Sequence, residues 1–430
     1  MAGMIDADLA VVDAAELVTV RGPAPRKGAL LAEIGIVERG CVAAKDGAIV
    51  FVGDEREYRR EVRLDRHGVE IDATGRTVLP GFVDPHTHLP FAGSREREFV
   101  QRLRGETYES IAARGGGILS TVEATRRSSI DDLVLLGKER LNRMLLHGTT
   151  TIEAKSGYGL TLEDELKQLR VLQRLNDLHP IDIIPTFLGA HTVPGEWRHD
   201  RSAYVREVTG RMIPEVAREG LARYCDVFVE EGAFTVDEGE QILRVALEHG
   251  LGIRLHAEQR GPTGGSLLAA RLGAASADHL DHISDEGIGA LAASETTAVL
   301  LPGASFFLRD PGDAPARRLI EAGVTVALAT DFNPGTCPTE VMTAILPLAC
   351  QRLLMEPAEA IAAATLNAAH ALGLGSRAGS LEIGKQADLQ VVDAPNHLHL
   401  AYHFGVNLCR TVIKQGRVVV HDGALAPIEP

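Results

Sequence analysis

Three histidines and one aspartate in this sequence each stand just after a short apolar run of strand length. Gly81-Phe-Val-Asp-Pro leads into His86-Thr-His88, Arg254-Leu leads into His256, and Ala329-Thr leads into Asp331. Side chains alternate along an extended chain with period two, so His86 and His88 point to the same side. With His256 and Asp331 they make an N3O ligand set with a position open for water, the requirement of catalytic zinc or ferrous iron. A divalent ion in such a set lowers the pKa of that water toward neutrality and supplies a hydroxide nucleophile. His279 closes another apolar run, a further histidine at a strand end beside the ligand candidates. His282 starts the next loop, and ten further histidines lack a strand-end context, so they read as surface or structural residues. Lys155, after the run Thr149–Ala154, reads chiefly as a solvent or substrate contact, with a carbamate bridging two metals as the lesser alternative.

Side chains this far apart in sequence need a scaffold that gathers strand ends. Between about residues 79 and 378, apolar runs alternate with amphipathic stretches of helix length, the pattern of parallel βα units. The candidate strands are Val78–Asp84, Thr149–Ala154, Asp182–Leu188, Tyr224–Val229, Gly252–His256, Ala275–His279, Thr297–Leu301 and Val324–Asp331. The stretch after Thr161 sets Leu162, Leu166, Leu169, Leu172 and Leu175 on one helical face. An α/β fold follows, a (β/α)8 TIM-like barrel over 79–378, with an open doubly wound sheet as the runner-up. A barrel carries its chemistry at the C-terminal strand ends, where the histidines lie. Residues 1–78 and 379–430 are rich in short β runs, with an Asp46-Gly47 hairpin signal, so the two chain ends are expected to form one small composite β-sandwich domain.

Composition narrows the field. The 430 residues are 45% hydrophobic and 24% charged, enough for one large catalytic domain and a smaller companion. The net charge of −15 repels nucleic acid and anionic membranes, so an anionic ligand needs a local basic residue. Five scattered cysteines without a C-x-x-C pair support neither a disulfide framework nor a thiolate zinc cluster. Asp6, Asp8 and Asp13 replace the basic region of a signal peptide, and no apolar run approaches ~18–20 residues. A cytoplasmic protein is the expectation.

Five runs go beyond a metal motif: His86-Thr-His-Leu-Pro-Phe-Ala-Gly-Ser-Arg95-Glu-Arg-Glu-Phe, Ala113-Arg-Gly-Gly-Gly-Ile, Lys155-Ser-Gly-Tyr158-Gly-Leu, Phe187-Leu-Gly-Ala-His191 and Asp331-Phe-Asn333-Pro-Gly335-Thr336. With the ligand pattern they resemble the metal-dependent amidohydrolase superfamily, and within it the branch acting on an imidazolone ring in histidine degradation. The resemblance implies hydrolysis of the cyclic amide bond of 4-imidazolone-5-propanoate to N-formimidoyl-L-glutamate, with one zinc or iron ion and a homodimer. It further implies that Asp331 shuttles a proton from the attacking water to the leaving ring nitrogen. Arg95, seven residues past His88, clamps the propionate bidentately. Tyr158, freed by flanking glycines, faces the planar heterocycle. The resemblance also implies substrate contacts from His191, Gln259, Asn333, Gly335 and Thr336, with Tyr108 a weaker candidate.

One position departs from the related deaminases, which carry His-x-x-Glu after the fifth strand. Here the third residue after His256 is Gln259, which cannot transfer a proton and suits a hydrogen-bonding contact; Glu258 is a reserve acid or base, pointing away if the chain stays extended. The competing functions are a cytosine- or guanine-type deaminase, another cyclic-amide hydrolase, and a non-catalytic scaffold, whose signature would be missing ligands. The run 115–117 of three glycines is read as a mobile element or a plain turn.

Overall fold

Asp46 and Gly47 adopt φ of 51° and 83°, the left-handed pair of a tight hairpin turn, and join strands β2 (Ile36–Lys45) and β3 (Ala48–Asp54). The long β1 (Ile5–Val18) lies antiparallel to β2 and parallel to both β4 (Val62–Asp72) and β5 (Thr77–Pro80). This computed structural model describes residues 4–427 except 107–109, 112, 113 and 115.

The next eight strands are β6 (Phe82–Asp84), β7 (Thr149–Lys155), β8 (Asp182–Ala190), β9 (Tyr224–Val229), β10 (Gly252–Ala257), β11 (Ser276–His279), β12 (Thr297–Leu300) and β13 (Val326–Leu328). They pair in chain order and all in parallel, with helices in the crossovers, which is the expected barrel. The first and last strands meet just beyond their ends. Asp331 N donates to His86 O (3.1 Å), His88 N donates to Phe332 O (2.9 Å), and Thr87 and Phe332 form a parallel bridge. Closure therefore falls on the stretch that carries three of the candidate ligands. The helix Leu162–Leu178 begins at Thr161, whose side chain accepts from Asp164 N, and buries Leu166, Leu169, Leu172 and Leu175 against the barrel. Each such leucine contributes about 1.5–3 kcal/mol of burial.

The C-terminal strands β14 (Leu389–Val392), β15 (Cys409–Lys414), β16 (Arg417–His421) and β17 (Ala424–Leu425) return to the first sheet, β14 lying antiparallel to β5. The result is a continuous ladder of nine strands made from both chain ends. Its alternating residues feed two apolar clusters, Leu9, Val11, Val42 and Ile49 on one side and Ala10, Cys41, Ala43 and Phe51 on the other.

The expected single strand Val78–Asp84 is two strands. Thr77–Pro80 belongs to the composite sheet, Phe82–Asp84 opens the barrel, and Gly81 is the joint, its N–H donating to Asp388 O at 3.0 Å. A Cβ at Gly81 would lie 2.4 Å from the Thr150 side chain, so the joint has room only for glycine. All five cysteines are free thiols, and among the described residues no helix is long and apolar enough to cross a membrane.

Candidate active site and metal centre

At the C-terminal mouth of the barrel, His86 Nε2 and His88 Nε2 each lie 3.5 Å from Asp331 Oδ1, and His88 Nε2 lies 3.3 Å from His256 Nε2. Ligands bonded to a tetrahedral zinc at about 2.0–2.2 Å are about 3.3–3.5 Å apart, so this spacing fits a divalent ion. His86 Nε2 is also buried without a hydrogen-bond partner, an orphan that a metal would satisfy. The other ring nitrogens explain why Nε2 faces the centre. His86 Nδ1 lies 2.6 Å from Asp278 Oδ2, and His256 Nδ1 lies 3.0 Å from Asp226 Oδ1. Each carboxylate takes an Nδ1–H, which fixes the tautomer and leaves the Nε2 lone pair for a metal. Burial holds His86 and His88 well below the usual histidine pKa, in the neutral form a ligand needs.

Beneath the histidines lies a charged cage that the sequence reading did not assemble. Lys155 was expected to touch solvent or substrate; it is fully buried instead, its Nζ 2.8 Å from Glu153 Oε1, 2.8 Å from Asp226 Oδ2 and 3.9 Å from Asp278 Oδ2. A carbamate at this nitrogen would set an anion among three carboxylates, so the bridging alternative falls as well. Arg254 completes the cage, 3.6 Å from Asp278 and donating to Pro85 O at 2.8 Å. Burial opposes the ionised form of Asp226, but His256 and the Lys155 ammonium outweigh it and hold that carboxyl well below the usual range. At Asp278 burial, with the neighbouring Asp226 carboxylate, outweighs the Arg254 and Lys155 cations at 3.6 and 3.9 Å and raises the pKa. The available signal was the recurrence of charged residues inside apolar strands at period two, Glu153 with Lys155 and Arg254 with His256.

Above the histidines opens a cavity of about 1000 Å³. His88, His256, His279 and Asp331 reach it, and Arg95, Tyr158, His191, Gln259, Asn333 and Thr336 line its wall. The Tyr158 loop owes its shape to Glu165, whose carboxylate accepts from Gly157 N (3.0 Å), Gly159 N (2.9 Å) and Leu160 N (2.7 Å). Of the flanking glycines, Gly157 is needed for its φ of 105° and Gly159 because a Cβ would meet the Asp164 backbone at 2.5 Å. The His191 ring stacks on His88 with centroids 5.0 Å apart, and its Nδ1 lies 3.0 Å from Gly157 O.

The loop after β13 is held by its own side chains. Asn333 Oδ1 accepts from Gly335 N (2.8 Å) and Thr336 N (2.7 Å), while its Nδ2 donates to Asp331 O (2.6 Å) and Thr336 Oγ1 (2.7 Å). Thr336 Oγ1 reaches Asp331 Oδ2 at 3.3 Å. The Arg95 guanidinium packs on Gly335 and pairs with Glu98 at 2.8 Å, so Gly335 meets the cavity through the arginine rather than directly. Gln259 lines the cavity; Glu258, with φ of 56°, turns away to accept from Gly264 N at 3.1 Å. His279 and Asp331 also have positive φ (79° and 55°), unusual for these residue types and clustered where the site is. Burial pushes His279 down to about 3, so its imidazole is neutral. Tyr108 and Gly115 lie outside the described residues, while Gly117 N, from the same glycine run, donates to Glu98 Oε1 at 2.9 Å.

The amidohydrolase family pattern matches residues 77–419. An imidazolonepropionase of Symbiobacterium thermophilum is 52% identical over 417 residues, covering 97% of this chain and 98% of its own. One from Geobacillus kaustophilus is 52% identical over 414 residues, covering 95% and 97%. Among solved structures, a zinc-bound adenosine deaminase of Xanthomonas campestris superposes with a TM-score of 0.70 at 19% identity, covering 99% of this chain and 96% of its own. A putative prolidase of Bifidobacterium longum gives 0.70 at 19% identity, covering 97% and 96%. At such identities these two show the fold.

Proposed function

The chain belongs to the amidohydrolase family, and from that premise we propose how its site performs the imidazolonepropionase reaction. The enzyme hydrolyses a carbon–nitrogen bond of a small cyclic amide, 4-imidazolone-5-propanoate, to give N-formimidoyl-L-glutamate. The observation that carries this function is identity of about half the residues along nearly the whole chain with several imidazolonepropionases.

His86, His88, His256 and Asp331 would hold one metal ion, zinc or iron. A divalent cation in that set supplies Lewis acidity and a water of near-neutral pKa. Asp331 takes the proton of the attacking water and passes it to the leaving ring nitrogen, a role supported by its place on the cavity wall beside the histidines, 3.5 Å from His86 and His88. His279, neutral, donates a hydrogen bond to the ring oxygen as negative charge grows there. Arg95 clamps the propionate, the basic group that a chain of net charge −15 must supply locally. Tyr158 and His191 flank the ring, and Gln259 hydrogen-bonds it. An amide cannot carry a proton through a deamination, so Gln259 favours ring opening over loss of ammonia. Asn333, Gly335 and Thr336 shape the wall against which the substrate sits, Asn333 through the loop it braces. The domains run 1–80 plus 379–430 and 82–378, the expected boundary after residue 78 moving to the joint at Gly81 because β5 belongs to the composite sheet, and the enzyme works as a cytoplasmic homodimer without nucleic-acid or membrane partners.

Product analysis tests this reading. Incubation with 4-imidazolone-5-propanoate should yield a product heavier by one water with no ammonia released. Ammonia release from aminated bases, with the imidazolone left intact, would move the chain to the deaminases.

A further inference from the structure

We propose that Lys155 is a positioning residue for the metal centre, its buried ammonium holding in place the carboxylates that aim the ligands His86 and His256. The inference rests on the reading of His86, His88, His256 and Asp331 as the ligands.

Three connections lead from this one ammonium toward the ligands. The first runs through Asp226. Lys155 Nζ pairs with Oδ2 at 2.8 Å, while Oδ1 takes both the backbone N–H of His256 (3.2 Å) and its Nδ1 (3.0 Å). With one oxygen held by the lysine, the carboxylate cannot rotate away from the histidine. The second runs through Asp278, whose Oδ2 lies 3.9 Å from Nζ and 2.6 Å from His86 Nδ1. The third runs through Glu153, paired with Nζ at 2.8 Å by Oε1 and accepting from Thr87 N at 3.2 Å by Oε2. Thr87 is the spacer between His86 and His88, and Lys155 N donates to its carbonyl at 2.9 Å.

Charge makes the lysine hard to replace. Glu153, Asp226 and Asp278 are buried together, and Lys155 and Arg254 are the cations among them. Arg254 is partly committed to Pro85 O (2.8 Å) and Ala371 O (3.2 Å), so it cannot follow the carboxylates. A compact ammonium sits near all three carboxylates at once, at 2.8, 2.8 and 3.9 Å, where a planar guanidinium would present its charge in one plane. Removing it leaves buried like charges to separate, and the histidines would move with them.

The test is zinc affinity of apoprotein, measured by competition with a chromogenic chelator, alongside urea unfolding of the same apo forms. Lys155→Met should weaken zinc ten- to hundredfold, the range seen when outer partners of ligands are removed. Asp226→Asn should do the same. Because both break one relay, the double variant should be no more than about threefold weaker than the weaker single one. A merely structural lysine would lower the unfolding midpoint and leave zinc affinity within threefold of wild type, and that result, or losses that multiply in the double variant, overturns the proposal. If Lys155→Met does not fold, Lys155→Met with Glu153→Gln removes one charge of each sign and keeps an acceptor for Thr87. It should still lose at least tenfold relative to Glu153→Gln alone; equal affinity overturns the proposal. His256→Ala separates the two readings. Unchanged zinc affinity there would refute the ligand set itself, whereas its loss together with intact affinity in Lys155→Met would refute only the role of the lysine.

Discussion

Gly335→Ala should damage substrate binding by displacing the Arg95 guanidinium, without touching a metal ligand. A Cβ at Gly335 would stand 2.2 Å from Arg95 Nη1 and 2.9 Å from its Cζ. Ordinary contacts of this kind are about 3.5–4 Å, so the guanidinium must move by about 1 Å or more. Arginine is long and can do so without disturbing the loop, and the φ of Gly335 is not in the left-handed region. The fold should therefore be kept. The moved fork no longer meets the propionate in the bidentate geometry, and hydrogen bonds to charged groups contribute about 1.5–3 kcal/mol. At about 1.4 kcal/mol per factor of ten, kcat/KM falls about ten- to hundredfold, mainly through KM. The assay is initial rate against 4-imidazolone-5-propanoate, followed by loss of ring absorbance, with metal content determined on the same samples. Arg95→Ala should resemble it. A KM within twofold of wild type, at full metal content, would refute the clamp and the reasoning from Gly335 together.

Other expected outcomes concern the ligands, the cavity wall, the interdomain joint and pH. Asp331→Ala removes the oxygen of the N3O set and should lower both metal affinity and turnover more than tenfold; retention of both, by metal analysis and rate, would remove it from the site. Gln259→Ala loses a neutral hydrogen bond of about 0.5–1.5 kcal/mol and should lower kcat/KM about two- to tenfold with metal content unchanged. Gly81→Ala drives a methyl into Thr150 at 2.4 Å and should cost about 1–3 kcal/mol in urea unfolding, and an unchanged midpoint would mean that the joint adapts. His179 is buried, accepts from Ile181 N at 3.2 Å through Nδ1, and lies 3.2 Å from Asn142 Oδ1 through Nε2, so its ring is neutral. Burial pushes its pKa down to about 4 from 6.5, so on acidification the unfolded chain takes the proton first. Its contribution, about 3 kcal/mol at most, is full above pH 6.5 and is lost as pH falls toward 4. His179→Gln should flatten that part of the stability profile, and an unchanged slope would contradict it.

The barrel was legible because each strand is an apolar run bounded by polar residues, and observed strands begin and end within a few residues of those runs. The ligand candidates were legible for a related reason, since period two puts His86 and His88 on one side whatever the fold. Which of Glu258 and Gln259 lines the cavity was not legible, because the turn at Glu258, with its positive φ, rather than simple alternation brings Gln259 to the wall. The split at Gly81 had a signal in the Pro80-Gly81 dipeptide, a turn signal inside the run that a single strand over Val78–Asp84 passes over, and Thr150, on the neighbouring strand, shows why only glycine fits at the joint. The cage was hidden more deeply. Glu153, Lys155, Asp226, Arg254 and Asp278 come from β7, β9, β10 and β11, and a charge read alone is a solvated charge until barrel closure supplies its partner.

The central claim is that this chain opens the imidazolone ring with a single metal held at the barrel mouth. The most direct test is the rate of conversion of 4-imidazolone-5-propanoate by protein stripped with a chelator and then titrated with zinc or ferrous iron. Activity should be lost on stripping and return in proportion to metal, saturating at one ion per chain, with N-formimidoyl-L-glutamate as product. Full turnover by metal-free protein, or no turnover by protein carrying one ion per chain, would contradict the account.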